Sequence, residues 1–395
     1  MVRPVQRKKT LLIRKIFFVI LALSIFLGIK TLRHSPPSKI DPNLRSDPSV
    51  QLAPSSPSPQ LAQKGLKKHT AYNGTLGIHL FVPYWRLSES YAPPTISQSD
   101  LTTLMYFAIH PLPDGTLDRS EPGYTHLPTF MAQTQNLDSA HLLTVSMQNE
   151  DISSPILESP ILQRKLAEEV SLTAHTYGFD GIVLDLEYAA LPTTEVVSQI
   201  STFTQTFSDI AHTNGLTFSI TLYGDTYYRS RPYDVKTLAT SVDFVYIMAY
   251  DFHKSYGQPG PNFPLSTTSQ NGTSYPYSLE VALEDFLSDV PKEKLIVTYG
   301  LFGYDWMVDD QNRPAKQAQA RTLSQFTSQF KPECTELHCT VTRDQSSQET
   351  SVSFTDSSGQ KHSMWFEDFQ SMTSKIKRAR SFGISNAGIW AYGYY

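Results

Sequence analysis

Two carboxylates lie two residues apart inside the mostly apolar run Phe-Asp-Gly-Ile-Val-Leu-Asp-Leu-Glu-Tyr, residues 179–188. Side chains alternate between the two faces of a β-strand, so Val183, Asp185 and Glu187 are predicted to share one face. Burial without a partner raises the pKa of a carboxyl group, which suits a general acid that works near neutral pH. Glu187 is therefore a candidate proton donor. The alternative is that the two acids are solvated residues at a strand end or pair with a nearby arginine.

The elements that would position these acids are short apolar runs alternating with helical segments, an order typical of a parallel sheet wrapped by helices. The runs span residues 76–84, 102–109, 141–147, 181–187, 216–222, 244–250, 295–301 and 387–391. Eight parallel strands close into a barrel, so the predicted fold class is α/β, a (β/α)8 TIM barrel. Active sites in such barrels form at the carboxyl ends of the strands, and Glu187 ends the fourth run.

Four segments between these runs have helical periodicity, and Gly178, Gly215 and Gly383 follow three of them where a left-handed cap is favoured. The segments are residues 161–177, 194–213, 278–289 and 366–382. The stretch from about 303 to 362 is too long for a simple loop. We predict that it forms a small α+β insertion between the seventh and eighth strands, making one wall of a cleft.

The N-terminal part of the chain differs in composition from the rest. Basic residues flank the apolar run 16–29, which predicts an export signal within residues 1–34. An uncleaved anchor is favoured over a removed signal peptide, because no small-x-small cleavage site follows convincingly. Residues 35–70 are rich in proline and serine and are predicted to form an extended tether. We therefore expect residues 71–395 to lie outside the cytoplasm, anchored to the cell membrane, or secreted if the signal is cleaved.

Composition limits the classes of function. The chain has 395 residues, a formal net charge of -4 and 40% hydrophobic residues, which allows a large core and does not indicate a nucleic-acid partner. Aromatic residues make up 12% of the sequence and suit either a groove that stacks on sugar rings or ordinary core packing. Cys334 and Cys339 could close a small loop in an extracytoplasmic protein. A metal site is not predicted, because the histidines are scattered and form no ligand pair.

The fourth-strand residues resemble the signature of glycoside hydrolase family 18, the chitinase-like barrels. That signature reads Asp-x-x-Asp-x-Asp-x-Glu, and here its positions hold Asp180, Val183, Asp185 and Glu187. The resemblance extends over residues 76–395. Sequences near 300–306 and 364–368 also resemble bacterial members that include spore-cortex and cell-wall hydrolases.

Two further motifs occur in the order expected of this family. Met248-Ala-Tyr250-Asp251 is similar to a Met-x-Tyr-Asp element of the sixth strand, and Gly-Ile-Trp390 is similar to the end of the eighth strand. The resemblance implies that Met248 and Asp251 shape the pocket and that Trp390 forms the floor under the cleaved sugar. Residues 84–85 could extend this aromatic surface or belong to the core. The candidate substrate-binding residues are Asp180, Met248, Asp251, Trp390, Tyr84 and Trp85.

The family resemblance also implies a mechanism. It is a retaining reaction without an enzyme nucleophile and without a cofactor, in which the 2-acetamido group of the substrate attacks the anomeric carbon. Glu187 would protonate the glycosidic oxygen and later activate water. Asp185 would orient the acetamido group, and Tyr250 would donate a hydrogen bond to its oxygen. These three residues are the candidate catalytic residues.

The sequence departs from the family pattern at two places. Val183 replaces the usual middle aspartate, so we expect Asp185 to lose its inward-facing partner, with a shifted pKa and a slower but not absent reaction. The third strand reads Ser-Met-Gln-Asn at residues 146–149, where Ser-x-Gly-Gly is common in the family. The larger side chains are expected to reshape the pocket floor.

The leading hypothesis is a membrane-tethered hydrolase of β-1,4-linked polymers that contain N-acetylglucosamine, either chitin-like or peptidoglycan. We expect it to act as a monomer. The rival hypothesis is a barrel that binds such glycans with little or no turnover. Glu187 favours the enzyme, because non-catalytic relatives commonly lose this acid.

Overall fold

A closed barrel of eight parallel strands forms the main body of the protein. The computed structural model describes residues 76–87, 101–268 and 274–395. The barrel strands are β1 (Gly77–Pro83), β2 (Leu101–Ile109), β3 (Ala140–Met147), β4 (Gly181–Leu186), β5 (Thr217–Tyr223), β6 (Phe244–Ala249), β7 (Leu295–Gly300) and β13 (Asn386–Trp390). Neighbouring strands follow the order β1–β13–β7–β6–β5–β4–β3–β2, and β2 pairs with β1 to close the ring. All eight predicted runs are strands, so the predicted (β/α)8 barrel is confirmed.

Helices alternate with the strands along the chain, and those outside the insertion cover the barrel. They are α1 (Pro122–Thr125), α2 (Leu127–Thr134), α3 (Glu150–Glu158), α4 (Pro160–Tyr177), α5 (Thr194–Thr213), α6 (Val235–Ser241), α7 (Leu279–Asp289), α8 (Leu323–Gln325), α9 (Lys331–Glu336) and α10 (Phe369–Ser381). Short 3₁₀ and π segments occupy Tyr84–Arg86 and Phe326–Phe330. The four predicted helices are α4, α5, α7 and α10.

Side-chain caps fix where the long helices begin. Ser159, Thr193 and Ser278 each accept a hydrogen bond from a backbone N–H in the first turn of the helix that follows. At the other end of α4, Gly178 adopts the left-handed conformation, with φ of 80°, as its position in the sequence predicted.

The insertion between the seventh and eighth barrel strands is a second, antiparallel sheet. Its strands are β8 (Phe302–Val308), β9 (Gln319–Thr322), β10 (Thr340–Arg343), β11 (Thr350–Thr355) and β12 (Lys361–Phe366). They are ordered β10–β11–β12–β8–β9, with α8, α9 and the π segment between β9 and β10. The predicted α+β insertion is confirmed, and its sheet extends a few residues beyond the predicted 303–362.

The strand alternation divides the apolar residues into two layers. Val183 lies in the barrel interior with Leu142 and Tyr246, all less than 2% exposed. Ile182 and Leu184 point the other way and pack in the larger layer between the barrel and the helices. The face assignments made from the sequence are therefore correct. Asp185 and Glu187 continue the interior face of Val183 towards the carboxyl end of β4.

Two predictions about the N-terminal part of the chain lie outside the described residues. These are the anchor at 1–34 and the tether at 35–70. Among residues 76–87, 101–268 and 274–395, no helix is both long and apolar enough to cross a bilayer.

The sequence left open whether Cys334 and Cys339 are bonded. They form a disulfide with a Cα–Cα distance of 5.2 Å, which closes a small loop in the insertion.

Candidate active site

A pocket of about 360 Å³ opens at the carboxyl ends of the barrel strands. Its walls combine carboxylates with aromatic rings, a composition that suits a polar ligand with apolar faces. The predicted residues that line it are Asp185, Glu187, Tyr250, Met248, Asp251, Trp390 and Trp85. The structure thus brings together the ends of β1, β4, β6 and β13, which are far apart in sequence.

Asp185 is held in the pocket by hydroxyl groups from both neighbouring strands. Ser146 Oγ donates to Oδ2 at 2.8 Å, and Thr221 Oγ1 donates to Oδ1 at 2.6 Å. Burial raises the pKa of Asp185, while these hydrogen bonds to the charged form, and a weaker one from Gln148, oppose that rise. Val183 offers Asp185 no hydrogen bond, as expected, and the pKa of Asp185 is shifted. The partners of Asp185 lie beside it instead, on the neighbouring strands β3 and β5.

Glu187 has the properties of a proton donor. Burial first, and then the negative charge of Asp185, raise the pKa of Glu187 to about 7. A hydrogen bond from the Tyr223 hydroxyl and the positive charge of Lys254 act in the opposite direction. Gln148 Nε2 also donates to Glu187 Oε1 at 2.7 Å. A carboxyl group with this pKa is protonated in about half of the molecules at neutral pH, as general acid catalysis requires.

Tyr250 lies half-buried in the pocket wall, directly after β6. Burial, followed by the charges of Asp185 and Glu187, raises the pKa of Tyr250 well above its usual value, so its hydroxyl keeps its proton. The ring lies 6.4 Å from that of Trp390 in a stacked arrangement and 5.7 Å from that of Phe302. Tyr250 is therefore a neutral hydrogen-bond donor beside two acids.

Asp251 is fixed by contacts with the insertion and with a buried asparagine. Its backbone is left-handed, with φ of 59°, and its N–H donates to Asn262 Oδ1 at 2.7 Å. Tyr304 of β8 donates its hydroxyl to Asp251 Oδ1 at 2.7 Å. Burial nevertheless raises the pKa of Asp251, since the Tyr304 hydrogen bond only partly offsets the loss of solvent. The insertion thus forms part of the wall of the pocket, as predicted.

The aromatic predictions have different outcomes. Trp390 lies under the pocket, with its ring centre 4.6 Å from that of Phe107 in an edge-to-face arrangement. Trp85 is 47% exposed at the rim, 6.5 Å from Trp390. Tyr84 does not line the pocket; its ring packs against Trp85 and His126. Trp390 and Trp85 together give the pocket one continuous aromatic side.

The prediction that Asp180 binds substrate is wrong. Asp180 precedes Gly181 at the amino end of β4, where its Oδ2 accepts a hydrogen bond from the backbone N–H of His141 at 2.9 Å. A strand rises about 3.3 Å per residue, so Asp180 lies roughly 20 Å from Glu187 at the opposite end of the barrel. Its contact ties β3 to β4, and it is not a substrate-binding residue.

Four lining residues were not predicted from the sequence. They are Phe107, Gln148, Tyr223 and Phe302. Tyr223 ends β5, so the rule that barrel chemistry gathers at the carboxyl ends of strands could have found it. Gln148 was noted only as a departure from the family pattern, and its amide in fact bridges Asp185 and Glu187.

Comparison with known proteins agrees with this geometry. The sequence pattern described as Glycosyl hydrolases family 18 matches residues 80–394. The chain belongs to glycosyl hydrolase family 18. Family 18 membership makes the protein a glycosidase by class and implies binding of glycans that contain N-acetylglucosamine.

Similar family 18 proteins include bacterial spore enzymes. The cortical fragment-lytic enzyme of Bacillus anthracis is 26% identical over 304 residues, which covers 74% of this chain and 65% of that protein. The chain spans about two thirds of the length of the curated relatives it matches. The crystal structure of the Bacillus cereus spore cortex-lytic enzyme SleL superposes with a TM-score of 0.63 and 24% identity, covering 81% of this chain and 72% of that one.

The family 18 fold also occurs in proteins that bind without cleaving. Human YKL-39, described as a pseudo-chitinase with retained chitooligosaccharide binding, has a TM-score of 0.66 and 17% identity, covering 81% of this chain and 93% of that one. Because the fold alone does not separate the two activities, the acids in the pocket have to decide between them.

The raised pKa of Glu187 makes a prediction about pH. If Glu187 acts as the acid, kcat/KM should fall as the pH rises through about 7, because the proton to be donated is lost. Tyr223→Phe removes a hydrogen bond that favours the charged form, so the basic limb should move to higher pH. The check is a pH profile of kcat/KM for both proteins. An identical basic limb in the two profiles would contradict the role of this hydrogen bond.

Proposed function

We propose that the protein hydrolyses β-1,4-linked polymers containing N-acetylglucosamine by substrate-assisted, retaining catalysis. The observation that carries this proposal is that Asp185, Glu187 and Tyr250 line one pocket at the mouth of the barrel. An acid held in one orientation by hydroxyl donors, a second acid with a pKa of about 7 and a neutral hydroxyl donor are the three groups that such a reaction needs.

In the first step Glu187 donates its proton to the glycosidic oxygen as the bond to the anomeric carbon breaks. The carbonyl oxygen of the 2-acetamido group attacks that carbon, forming a positively charged cyclic intermediate. Asp185 accepts a hydrogen bond from the acetamido N–H and stabilises the positive charge. Its fixation by Ser146 and Thr221 supports this role, because both hydroxyls donate to the carboxylate and hold it in one orientation.

In the second step Glu187, now ionised, takes a proton from water. The water attacks the anomeric carbon from the side that the leaving group vacated, the acetamido oxygen leaves, and the product keeps the original configuration. A pKa of about 7 supports both uses of Glu187, because it can give and regain a proton near neutral pH.

Tyr250→Phe tests the donor to the acetamido oxygen. The substitution removes one oriented hydroxyl while it keeps the ring that packs on Trp390. We expect kcat to fall by about one to two orders of magnitude, the range for loss of one donor to developing charge. Tyr177→Phe, on helix α4 outside the pocket, is the matched control and should leave kcat unchanged. Unchanged turnover in Tyr250→Phe would remove this residue from the proposed mechanism.

Products decide between hydrolysis and binding alone. Purified full-length protein is incubated with N-acetylglucosamine oligomers and with cell-wall glycan, and products are followed by mass spectrometry and by the anomer first formed. The proposal expects new reducing ends and an initial β-anomer. Binding without any product across the pH range would support the rival, a glycan-binding barrel without turnover.

We further propose that the domain acts outside the cytoplasm, held at the membrane by the apolar segment within residues 1–34 and spaced from it by residues 35–70. The apolar run with flanking basic residues and the proline-rich stretch support this location. Membrane fractionation of cells producing the whole chain, and of cells producing a chain without residues 1–34, tests it. Equal recovery of both proteins in the soluble fraction would contradict the anchor.

A further inference from the structure

A second cavity, of about 370 Å³, adjoins the catalytic pocket and is lined by positively charged side chains. Its cations are Arg229, Arg231 and Lys254. Tyr223 lies between the two cavities: its hydroxyl bonds to Glu187, and the Arg231 guanidinium lies 3.6 Å from the centre of its ring. Tyr223 therefore contacts the acid of the catalytic pocket on one side and the cations of the second cavity on the other.

A buried carboxylate fixes the two arginines. Asp225, only 4% exposed, accepts hydrogen bonds from Arg229 and from Arg231, the latter at 2.7 Å. Arg229 also donates to the backbone carbonyl of Phe252 at 2.9 Å. The Arg229 side chain remains 38% exposed. The guanidinium groups are thus held in place before any ligand arrives, which lowers the entropic cost of binding an anion.

The cavity carries excess positive charge. Asp225 neutralises one of the two arginines, and Lys254 forms no ion pair with any residue in the part of the chain that the structure describes. Burial lowers the pKa of His253, which is therefore neutral near pH 7. The carboxyl groups on the side of the catalytic pocket are Glu187 and Asp251, whose pKa values burial raises.

The loop that carries Lys254 is tied down on both sides. Its histidine, His253, bonds through Nδ1 to the carbonyl of Pro261 at 2.8 Å. The backbone N–H of Ala318 in the insertion donates to the carbonyl of Ser255 at 2.7 Å. Tyr256, 74% exposed, stands at the outer edge of the cavity. A fixed loop with cations and an exposed ring has the features of a subsite for an acidic sugar.

We propose that this cavity is a carboxylate-binding subsite, and that the glycan cleaved by the protein carries carboxylates on the sugar next to the N-acetylglucosamine in the catalytic pocket. The inference rests on the proposed function and selects one of its two substrate classes. Chitin-like strands are neutral and offer these cations nothing to bind. Strands in which N-acetylglucosamine alternates with a sugar whose lactyl group bears no peptide carry one carboxylate on every second unit.

Two synthetic tetrasaccharides test the proposal. One alternates N-acetylglucosamine with N-acetylmuramic acid, and the other is its methyl ester, which has almost the same shape without the charge. Binding is measured by calorimetry to full-length Glu187→Gln protein, in which turnover is expected to be much slower, and kcat/KM is measured with the unmodified protein. We expect the acid to bind about tenfold tighter than the ester at low salt and to lose that advantage at high ionic strength.

Arg229→Gln, introduced together with Glu187→Gln, should abolish the preference for the acid while leaving affinity for the ester unchanged. Arg313→Gln is the matched control, because Arg313 also pairs with an aspartate four residues earlier but lies in the insertion. Equal affinities for acid and ester, or a preference that survives Arg229→Gln, would overturn the subsite. Selective binding of the acid with no product from the unmodified protein would support the subsite but contradict the proposed hydrolysis. The two failures are therefore distinguishable.

Discussion

Glu187→Gln is expected to lower turnover by about 10²- to 10⁴-fold, the usual contribution of a positioned general acid and base. Glutamine keeps the size of the side chain but cannot give a proton to the glycosidic oxygen. Because the Trp390 and Trp85 rings and Asp185 remain, affinity for the glycan should stay close to that of the unmodified protein. Initial rates on N-acetylglucosamine oligomers and calorimetric titration with the same oligomers provide the two measurements.

The control for this experiment is Glu195→Gln. Glu195 lies in the first turn of α5, exposed and outside the pocket, so its substitution should leave turnover unchanged. Full activity in Glu187→Gln would mean that another group supplies the proton, and the mechanism proposed above would have to be abandoned.

Lys375→Met is expected to produce the largest loss of stability. Lys375, Glu349 and Glu367 are completely buried, and the lysine Nζ lies 2.6 Å from Glu349 and 3.0 Å from Glu367. Methionine would leave both carboxyl groups without their cation, which costs about 3–5 kcal/mol of unfolding free energy for a buried pair. A fall in Tm of roughly 10 °C should accompany this in a domain of this size. Thermal unfolding followed by circular dichroism measures it.

We also expect Lys375→Met to disturb the position of Asp251 in the pocket. Glu349 accepts hydrogen bonds from the backbone N–H groups of Asn262 and Phe263 at 2.6 and 2.8 Å, and Asn262 in turn holds the backbone of Asp251. Lys361→Met, which breaks an exposed pair with Asp310 on the insertion, serves as the control and should leave Tm unchanged. A Tm for Lys375→Met equal to that of this control would show that the buried cluster contributes nothing to stability.

The barrel could be predicted because its strands are apolar on both faces. Runs such as residues 181–187 are bounded by glycine or polar residues, so their limits are readable without tertiary information. Helix α3 was missed, and it contains Pro155 in its interior, a residue that usually indicates a break. Helix α6 was also missed, since its seven residues show too little periodicity to separate it from a loop.

The candidate site was predictable where a residue stands at the end of a strand and belongs to a motif, as Glu187 and Tyr250 do. It was not predictable where function depends on which strands are neighbours. Ser146 and Thr221 bond to Asp185 only because β3 and β5 flank β4. Asp180 shows the opposite error, because a motif position was carried over without counting the length of the strand between it and Glu187.

The pairing of β1 with β13 has a consequence for biosynthesis. Gly77 lies opposite Asn386, so the ring can close only after about 300 further residues have been added. Until then both margins of the curved sheet present unpaired backbone groups, a state prone to association with other chains. Folding of the enzyme should therefore depend on chaperones that bind the incomplete barrel. A chain that stops before Trp390 should not reach the native fold.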